Sequence, residues 1–327
     1  MENGVIIFMK NVLVLIPVDD KHKKILEEKA PSASFTYADG KSVSPAHIQQ
    51  AHIIIGNPPL SILKDCLSKN SSNLQWLQLQ SAGVGEYAKI LPENVVLTNA
   101  SGAYGLAISE YMLGVLLELF KKLHLYRDNQ LEAKWTYEGQ VKSIYNSTAL
   151  ILGVGDIGSE FAKRLKALGA YTIGIRRRDL DKPDYLDELY TMEHLNELLP
   201  RADIVAMSLP ETKLTEKIIN RETLKLMKKD AVLINVGRGS AIDTDALCDA
   251  LEIGQILGAA LDVTDPEPLP KDHRLWKIKN AVITPHVSGG YSLQETYERI
   301  LKICANNLEA YMTGNKLINV VNKSEGY

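Results

Sequence analysis

The sequence has few cysteines and no long apolar run. Its 327 residues include only three cysteines, which are scattered along the chain: Cys66, Cys248 and Cys304. Scattered cysteines in odd number give no metal-ligand spacing and favour a reducing compartment, so we expect a cytoplasmic protein without a metal site. No apolar run reaches the roughly 18 residues that a membrane-spanning helix needs. The N-terminal apolar segment, residues 5–18, is interrupted by Lys10 and predicts a strand rather than a signal peptide.

The sequence also lacks an excess of charge of either sign. The 37 basic and 40 acidic residues leave a formal net charge of −3. This balance gives no reason to expect binding to nucleic acid or to an anionic membrane surface. Hydrophobic residues make up 45% of the chain and charged residues 24%, which is typical of globular proteins. The length is sufficient for two domains.

A glycine-rich turn between a strand pattern and a helix pattern organises the chain. The apolar run 149–152 is too short for a helix and predicts a strand buried on both faces. Three glycines with the spacing G-x-G-x-x-G follow it: Gly153, Gly155 and Gly158. Apolar residues then recur at helical intervals. In this context the glycines allow a tight turn, a close approach of backbone to a pyrophosphate, and close packing of helix on strand.

The glycine turn therefore predicts a dinucleotide site; a βα turn with chance glycines is the alternative. The helix N-terminus offers N–H donors and a partial positive charge, so Asp156 and Ile157 join the predicted cofactor-binding residues. The Asp156 side chain could either repel a pyrophosphate or cap the helix, and the sequence leaves both roles open.

The next predicted strand ends in basic residues. An NAD-type site normally has an acidic residue there, about 20 residues past the glycines, which binds the ribose hydroxyls. In this chain the strand 171–175 is followed by Arg176, Arg177 and Arg178. Guanidinium groups bind phosphate oxygens in a forked geometry, so the cluster favours NADP over NAD, which stays possible. A solvated basic turn is the alternative interpretation.

Alternating short apolar runs and helical patterns predict two domains with parallel sheets. The first series has five candidate strands: 12–17, 34–37, 53–55, 74–79 and 95–98. The second has six, the number of a full doubly wound sheet: 149–152, 171–175, 204–208, 231–236, 256–262 and 281–284. We thus expect the α/β class, with two Rossmann-like or flavodoxin-like domains and a cleft between them.

The ends of the chain are predicted to share one domain. A last helix is expected at 293–312, and residues 317–321 are expected to return to the first domain. The substrate-binding domain would comprise residues 1–100 and 290–327, and the dinucleotide-binding domain residues 101–289. A single long helix is predicted at 104–130. Its apolar centre should be buried between domains or against a second subunit, which favours a homodimer.

Three polar segments follow predicted strands of the second series. They contain Arg238 between two glycines, Glu267 between two prolines, and His286 in a loop of small residues. Ligands bind at the carboxyl ends of the strands in such sheets, so these side chains are candidates for a site. Each alone is ambiguous, because a lone His or Glu is more often a surface or core residue than a catalytic one.

Together with segments 76–84 and 99–102 and the glycine turn, these segments occur in a specific order. Over nearly its whole length the chain resembles the D-isomer-specific 2-hydroxyacid dehydrogenases. The resemblance implies reduction of small 2-keto acids, such as glyoxylate or hydroxypyruvate, to D-2-hydroxy acids by hydride transfer from NAD(P)H. An NAD-linked dehydrogenase of a bulkier 2-hydroxy acid, a short phosphoglycerate dehydrogenase, and a nucleotide-sensing protein without turnover remain alternatives.

The resemblance also implies roles for individual residues. Arg238 would bind the substrate carboxylate and polarise the keto oxygen, His286 would protonate the developing alkoxide, and Glu267 would stabilise the imidazolium. Asp262 would contact the nicotinamide amide. The backbone of four residues would line the cofactor site: Leu209, Pro210, Val236 and Gly237. The backbone N–H groups of Ala82, Gly83 and Val84 would hold the substrate carboxylate. Family members usually have Asp or Asn where this chain has Gly85.

Overall fold

The computed structural model describes residues 9–69, 71–177, 181–291 and 293–324. They divide into two compact units, one from Met1–Ala103 with Gln294–Tyr327 and the other from Tyr104–Leu293. Residues 5–8 of the predicted N-terminal strand and the third arginine of the basic cluster, Arg178, lie outside the described residues.

The first unit is built on a parallel sheet of five strands. They are β1 (Asn11–Val14), β2 (Ser34–Tyr37), β3 (Ile53–Ile55), β4 (Trp76–Gln78) and β5 (Val96–Thr98). Their order is β2-β1-β3-β4-β5, which is the flavodoxin-like order. The three isoleucines of β3 are all buried, as expected for a central strand with helices on both faces.

Helices connect these strands, and the first two begin at side-chain caps. They are α1 (Asp20–Lys29), α2 (Pro45–Gln50), α3 (Leu60–Ser68) and α4 (Gly85–Ile90). The side chain of Asp19 accepts a hydrogen bond from the His22 N–H at the start of α1. Ser44 caps α2 in a reciprocal arrangement with His47, and a proline follows at the first helical position. Such caps satisfy backbone donors that the helix itself leaves unpaired.

The second unit contains a parallel sheet of seven strands among its described residues. They are β6 (Thr148–Leu152), β7 (Tyr171–Ile175), β8 (Glu188–Tyr190), β9 (Ile204–Met207), β10 (Val232–Asn235), β11 (Gly258–Leu261) and β12 (Ala281–Ile283). The order β12-β11-β10-β9-β6-β7-β8 reverses between β6 and β9. That reversal is the switch point at which ligands bind in doubly wound sheets. The two sheets confirm the predicted α/β class.

The edge strand β8 was absent from the six strands predicted for this unit. It has three residues, all half-buried, and pairs only with β7. A segment so short carries no alternating pattern, which explains why the sequence did not indicate it.

The helices of the second unit flank its sheet. They are α5 (Gly105–Phe120), α6 (Leu123–Leu131), α7 (Asp156–Ala167), α8 (Leu195–Leu198), α9 (Arg221–Leu226) and α10 (Thr244–Glu252). Short 3-10 turns occur at Met192–His194, Leu199–Arg201, Gly239–Ala241 and Arg274–Lys277. In the part of the chain that is described, no helix combines the length and apolar content needed to cross a bilayer.

The prediction of one helix over 104–130 was wrong. The chain breaks between α5 and α6, where Lys122 has a left-handed φ of 58°. No glycine or proline marks this break, so no local pattern predicts it. The buried face of α5, which includes Met112 and Leu116, packs on α7, β10 and β11 of its own unit. The apolar character of α5 is therefore explained by this packing.

After the second unit the chain returns to the first through α11 (Gln294–Met312). This helix packs on α1. Beyond it, Val320 forms an antiparallel bridge with Thr98 of β5, and the Val321 N–H donates to the Leu97 carbonyl at 2.9 Å. The chain at residues 320 and 321 thus pairs with β5 of the first unit.

Candidate active site

The glycine turn lies between β6 and α7 and is closed by tight backbone contacts. Gly153 has a left-handed φ of 93°, and a Cβ there would come within 3.0 Å of the Ser208 carbonyl oxygen. A Cβ on Gly158 would overlap the carbonyl oxygen of Gly153. The first and third glycines are therefore required by geometry, as the motif predicts.

The N-terminus of α7 fits a phosphate group. Its N-cap residue is Gly155, and no described side chain caps it. A Cβ placed on Gly155 would meet nothing within 4 Å, so the space beside the second glycine is open. Uncapped N–H donors in the first turn, with the partial positive charge of the helix, make a ready site for a pyrophosphate.

The side chain of Asp156 has a specific partner. Its Oδ2 atom accepts hydrogen bonds from the backbone N–H of Gly105 at 2.8 Å and of Tyr104 at 3.2 Å. Asp156 thus caps a helix, but the helix is α5 rather than α7, which it begins. Because its carboxylate is bonded to the start of α5, Asp156 takes part in the first turn of α7 through its backbone.

Arg176 follows β7, at the place where an acid would bind ribose. Its backbone N–H donates to the Tyr190 carbonyl at 3.0 Å. Its Nε atom is buried and has no hydrogen-bond partner among the described residues. A buried unpaired donor is unfavourable, so the guanidinium is suited to an incoming acceptor such as a phosphate oxygen. Arg177, which follows, is exposed.

The loops after β9 and β10 lie against each other. A Cβ on Gly237 would come within 2.6 Å of the Leu209 carbonyl oxygen, and one on Gly153 within 3.3 Å of the Leu209 side chain. The Ser208 hydroxyl donates to the Gly153 carbonyl at 2.9 Å. The structure therefore brings Gly153, Leu209 and Gly237 close together, and Pro210 and Val236 are their neighbours in the chain.

Arg238 is held by a buried amide that sequence reasoning did not single out. Asn235, the last residue of β10, donates from Nδ2 to the Arg238 carbonyl at 2.9 Å and accepts at Oδ1 from the Gly237 N–H at 3.0 Å. The next residue, Gly239, packs so closely on Thr264 that a Cβ would overlap it. The loop that carries Arg238 is thus fixed against the loop that leads to Glu267.

His286 and Glu267 form a hydrogen-bonded pair. The imidazole Nδ1 lies 2.7 Å from Glu267 Oε1, although the residues follow different strands, β12 and β11. An ionised carboxylate only accepts, so Nδ1 carries the shared hydrogen and Nε2 is the ring nitrogen left for a substrate. The two side chains are 48% and 43% exposed. The pair is therefore accessible to a small molecule.

Arg238, Glu267 and His286 follow three neighbouring parallel strands, β10, β11 and β12. Their loops consequently lie at the same edge of the sheet. Asp262, at the end of β11, is 1% exposed, and its carboxylate is engaged by the loop that carries His286. Within the described ranges, no group of His, Cys, Asp or Glu residues is arranged to hold a metal ion.

The predicted carboxylate-binding loop follows β4 in the first unit. Ser81 donates to the Gly83 carbonyl at 2.7 Å, and Asn99 donates to the Ala82 carbonyl at 2.7 Å. Asn57, which sequence reasoning did not single out, donates to the Ser81 hydroxyl at 3.1 Å. These bonds fix the backbone from Ser81 to Gly83.

Gly85 follows the loop with a left-handed φ of 42°. Asp and Asn, the residues usual in the resembled family, tolerate this conformation better than other non-glycine residues. Glycine at this position is therefore compatible with the same backbone.

Comparison with known proteins finds similarity to 2-hydroxyacid dehydrogenases and related reductases. A family model described as "D-isomer specific 2-hydroxyacid dehydrogenase, NAD binding domain" matches residues 113–288. The chain is 33% identical over 261 residues to a glyoxylate reductase of Thermofilum pendens, covering 77% of this chain and 76% of the relative. It is 30% identical to a D-3-phosphoglycerate dehydrogenase of Methanocaldococcus jannaschii over 321 residues, covering 96% of this chain and 60% of that one.

A solved structure is similar over almost the whole chain. It is a D-isomer specific 2-hydroxyacid dehydrogenase family protein from Aeromonas salmonicida. The TM-score is 0.84 at 31% identity, and the similarity covers 97% of this chain and 100% of the other.

Proposed function

Since the chain belongs to the D-isomer specific 2-hydroxyacid dehydrogenase family, we propose that it reduces small 2-keto acids of the glyoxylate or hydroxypyruvate type to D-2-hydroxy acids with NAD(P)H. The observation that carries the proposal is the pairing of His286 Nδ1 with Glu267 Oε1 at 2.7 Å, beside the loop of Arg238. This arrangement supplies a proton donor and a cation for an anionic substrate.

Each group has a distinct task in the proposed reaction. The reduced nicotinamide, when bound, supplies the hydride that no side chain can supply. His286 in its protonated form donates from Nε2 to the alkoxide oxygen as negative charge develops there. Glu267 fixes the imidazole through Nδ1 and stabilises its positive charge. Arg238 binds the substrate carboxylate and stabilises the developing oxyanion. The backbone N–H groups of Ala82, Gly83 and Val84 are proposed as further carboxylate donors.

The proposed cofactor is NADP(H) in preference to NAD(H). The buried Nε of Arg176 without a described partner supports this preference, because a 2′-phosphate would supply the missing acceptor. Arg177 adds a second guanidinium next to it. The turn of Gly153, Gly155 and Gly158, with the first turn of α7, would hold the pyrophosphate. Asp262 remains a proposed contact of the nicotinamide amide.

A second candidate is a short D-3-phosphoglycerate dehydrogenase. The Methanocaldococcus jannaschii relative carries that name, and the chain spans 60% of its length. A panel of substrates separates the two candidates: glyoxylate, hydroxypyruvate and branched 2-keto acids with NADPH or NADH, against 3-phosphoglycerate with NADP⁺ or NAD⁺. Turnover of the small keto acids supports the proposal. Turnover of 3-phosphoglycerate alone favours the second candidate, and tight NADPH binding without turnover favours a sensor.

The proposed assembly is a homodimer in the cytoplasm. Several large apolar side chains are exposed in and after α6, with Trp135 fully exposed: Leu131, Trp135, Tyr137, Val141 and Tyr145. Such a concentration of exposed apolar surface is typical of an interface. All three cysteines are buried free thiols, which fits a reducing compartment. Light scattering at micromolar concentration tests the assembly, and a monomer would contradict it.

A further inference from the structure

The backbone of His286 has a conformation that needs support. Its φ is 53°, in the left-handed region that residues other than glycine rarely adopt. Such a conformation persists only where the surroundings hold it. The position of the imidazole therefore depends on whatever fixes the chain at this residue.

Asp262 provides that support. Its backbone carbonyl accepts from the His286 N–H at 2.8 Å. Its carboxylate accepts from the Val287 N–H at 2.9 Å and from the Ser288 N–H at 3.0 Å. It also accepts from the Ser288 hydroxyl. Three successive backbone donors thus converge on one buried residue.

A second chain of hydrogen bonds reaches Asp262 from α5. The Thr284 hydroxyl lies 2.6 Å from Asp262 Oδ1, and the Tyr111 hydroxyl lies 2.7 Å from the Thr284 oxygen. A carboxylate only accepts, so Thr284 uses its single hydrogen on Asp262. Tyr111 must then be the donor to Thr284. Burial raises the pKa of Tyr111 to about 12, so its hydroxyl keeps its hydrogen at neutral pH.

We propose that Tyr111 and Thr284 are positioning residues for His286, acting through the Asp262 carboxylate. Tyr111 stands on α5, whose buried face is packed on the sheet. The network therefore connects the catalytic loop to a rigid element of the same unit. The role assigned to His286 rests on the proposed function, whereas the ordering of its loop does not.

The substitutions that test this network keep the shape of the side chains. Thr284→Val removes the hydroxyl, and leaves Asp262 Oδ1 without one donor and Tyr111 without its acceptor. Thr284→Ser restores the hydroxyl. Tyr111→Phe removes only the outer donor. Tyr311→Phe is the matched control, because it removes a half-buried hydroxyl bonded to Gln75 in the first unit.

Two measurements on the intact protein distinguish failure of this proposal from failure of the proposed function. The first is amide hydrogen exchange of residues 284–290, which needs no turnover. We expect faster exchange in Thr284→Val, a smaller increase in Tyr111→Phe, and wild-type exchange in Thr284→Ser and Tyr311→Phe. Unchanged exchange in Thr284→Val would overturn the proposal, whether or not the wild type turns over keto acids.

The second measurement is steady-state kinetics with the best keto acid of the panel. Misplacement of a reacting group by about 1 Å can lower a rate about 100-fold, so we expect kcat of Thr284→Val to fall about 10-fold or more. The KM for the keto acid, whose carboxylate is proposed to bind Arg238 rather than this network, should change less than about 3-fold, and Thr284→Ser should restore kcat. Faster exchange with unchanged kcat would overturn the positioning role. Absence of turnover in the wild type would contradict the proposed function, and the exchange result would still decide whether the network orders the loop.

Discussion

The imidazole of His286 lies 2.7 Å from the carboxylate of Glu267, and both side chains are nearly half exposed. An ion pair so accessible to water contributes little to the stability of a fold. The arrangement is more useful to a reaction, since it orients the ring and leaves Nε2 accessible. Replacing either residue should therefore change activity far more than stability.

His286→Ala should lower kcat on 2-keto acids by about 100-fold or more, because the proposed proton donor is lost. Glu267→Gln keeps a hydrogen-bonding group but removes the negative charge, so it should lower kcat less. Thermal unfolding and NADPH binding should stay close to wild type in both variants. Wild-type turnover by His286→Ala would reject the catalytic role of this residue.

Arg176→Asp should shift cofactor preference toward NADH. The change removes the guanidinium proposed to bind a 2′-phosphate and introduces an acid suited to ribose hydroxyls. The ratio of kcat/KM for NADPH to that for NADH measures the effect. Lys24→Asp, an equal change of charge on α1 of the first unit, is the control. An unchanged ratio in Arg176→Asp would mean that this arginine is no part of the cofactor site.

Replacing two glycines of α5 by alanine should have opposite effects on the stability of the protein. A Cβ on Gly105 would clash with the Asp156 carboxylate that caps the helix, whereas one on Gly114 would meet nothing within 4 Å. Gly105→Ala should therefore destabilise the protein by about 1 kcal/mol or more, the usual effect of losing a cap. Gly114→Ala should stabilise it by about 0.5–1 kcal/mol, because alanine favours the helix. Urea unfolding followed by circular dichroism measures both. Equal effects would contradict the described capping.

The stability of the protein is expected to depend on pH through Glu188, which lies in the edge strand β8 of the second sheet. Hydrogen bonds from Arg201, and also from Tyr190 and Tyr171, lower the pKa of Glu188 from 4.5 to about 2. A carboxyl group whose pKa is lowered by folding stabilises the protein above its unfolded pKa, and this contribution is lost as the pH falls toward the folded value.

Glu188→Gln should accordingly lower the free energy of unfolding at pH 7 by at most about 1 kcal/mol, given solvent screening of this pair. The difference from wild type should shrink between pH 5 and 3, as Glu188 becomes protonated in the unfolded state. The exposed Glu222, paired with Lys225, provides Glu222→Gln as a control with the same change of charge. A difference that grows as the pH falls would contradict the assignment.

The sequence predicted those features that depend on local pattern. The glycine spacing located the turn before α7, because only glycine fits at Gly153 and Gly158. Buried parallel strands such as β3 appear as continuous apolar runs, so their positions were also predictable. The pairing of Glu267 with His286 came from the resemblance, since 19 residues separate them in the chain.

Other features depend on contacts that no local pattern encodes. Asp156 caps α5 through Gly105, which lies 51 residues away. The break before α6 falls at Lys122, a residue with good helix propensity. The bond from Tyr111 to Thr284 spans 173 residues. Tertiary packing decides all three, and only the structure reveals them.

The measurement that tests the central claim most directly is isotope transfer. The protein is incubated with glyoxylate or hydroxypyruvate and NADPH that carries deuterium at the reactive position of the nicotinamide ring. The account predicts a hydroxy acid with one deuterium at C2, in the D configuration where C2 is a stereocentre, formed by the wild type and formed about 100-fold or more slowly by His286→Ala. Failure of the wild type to transfer the label to any keto acid of the panel would contradict it.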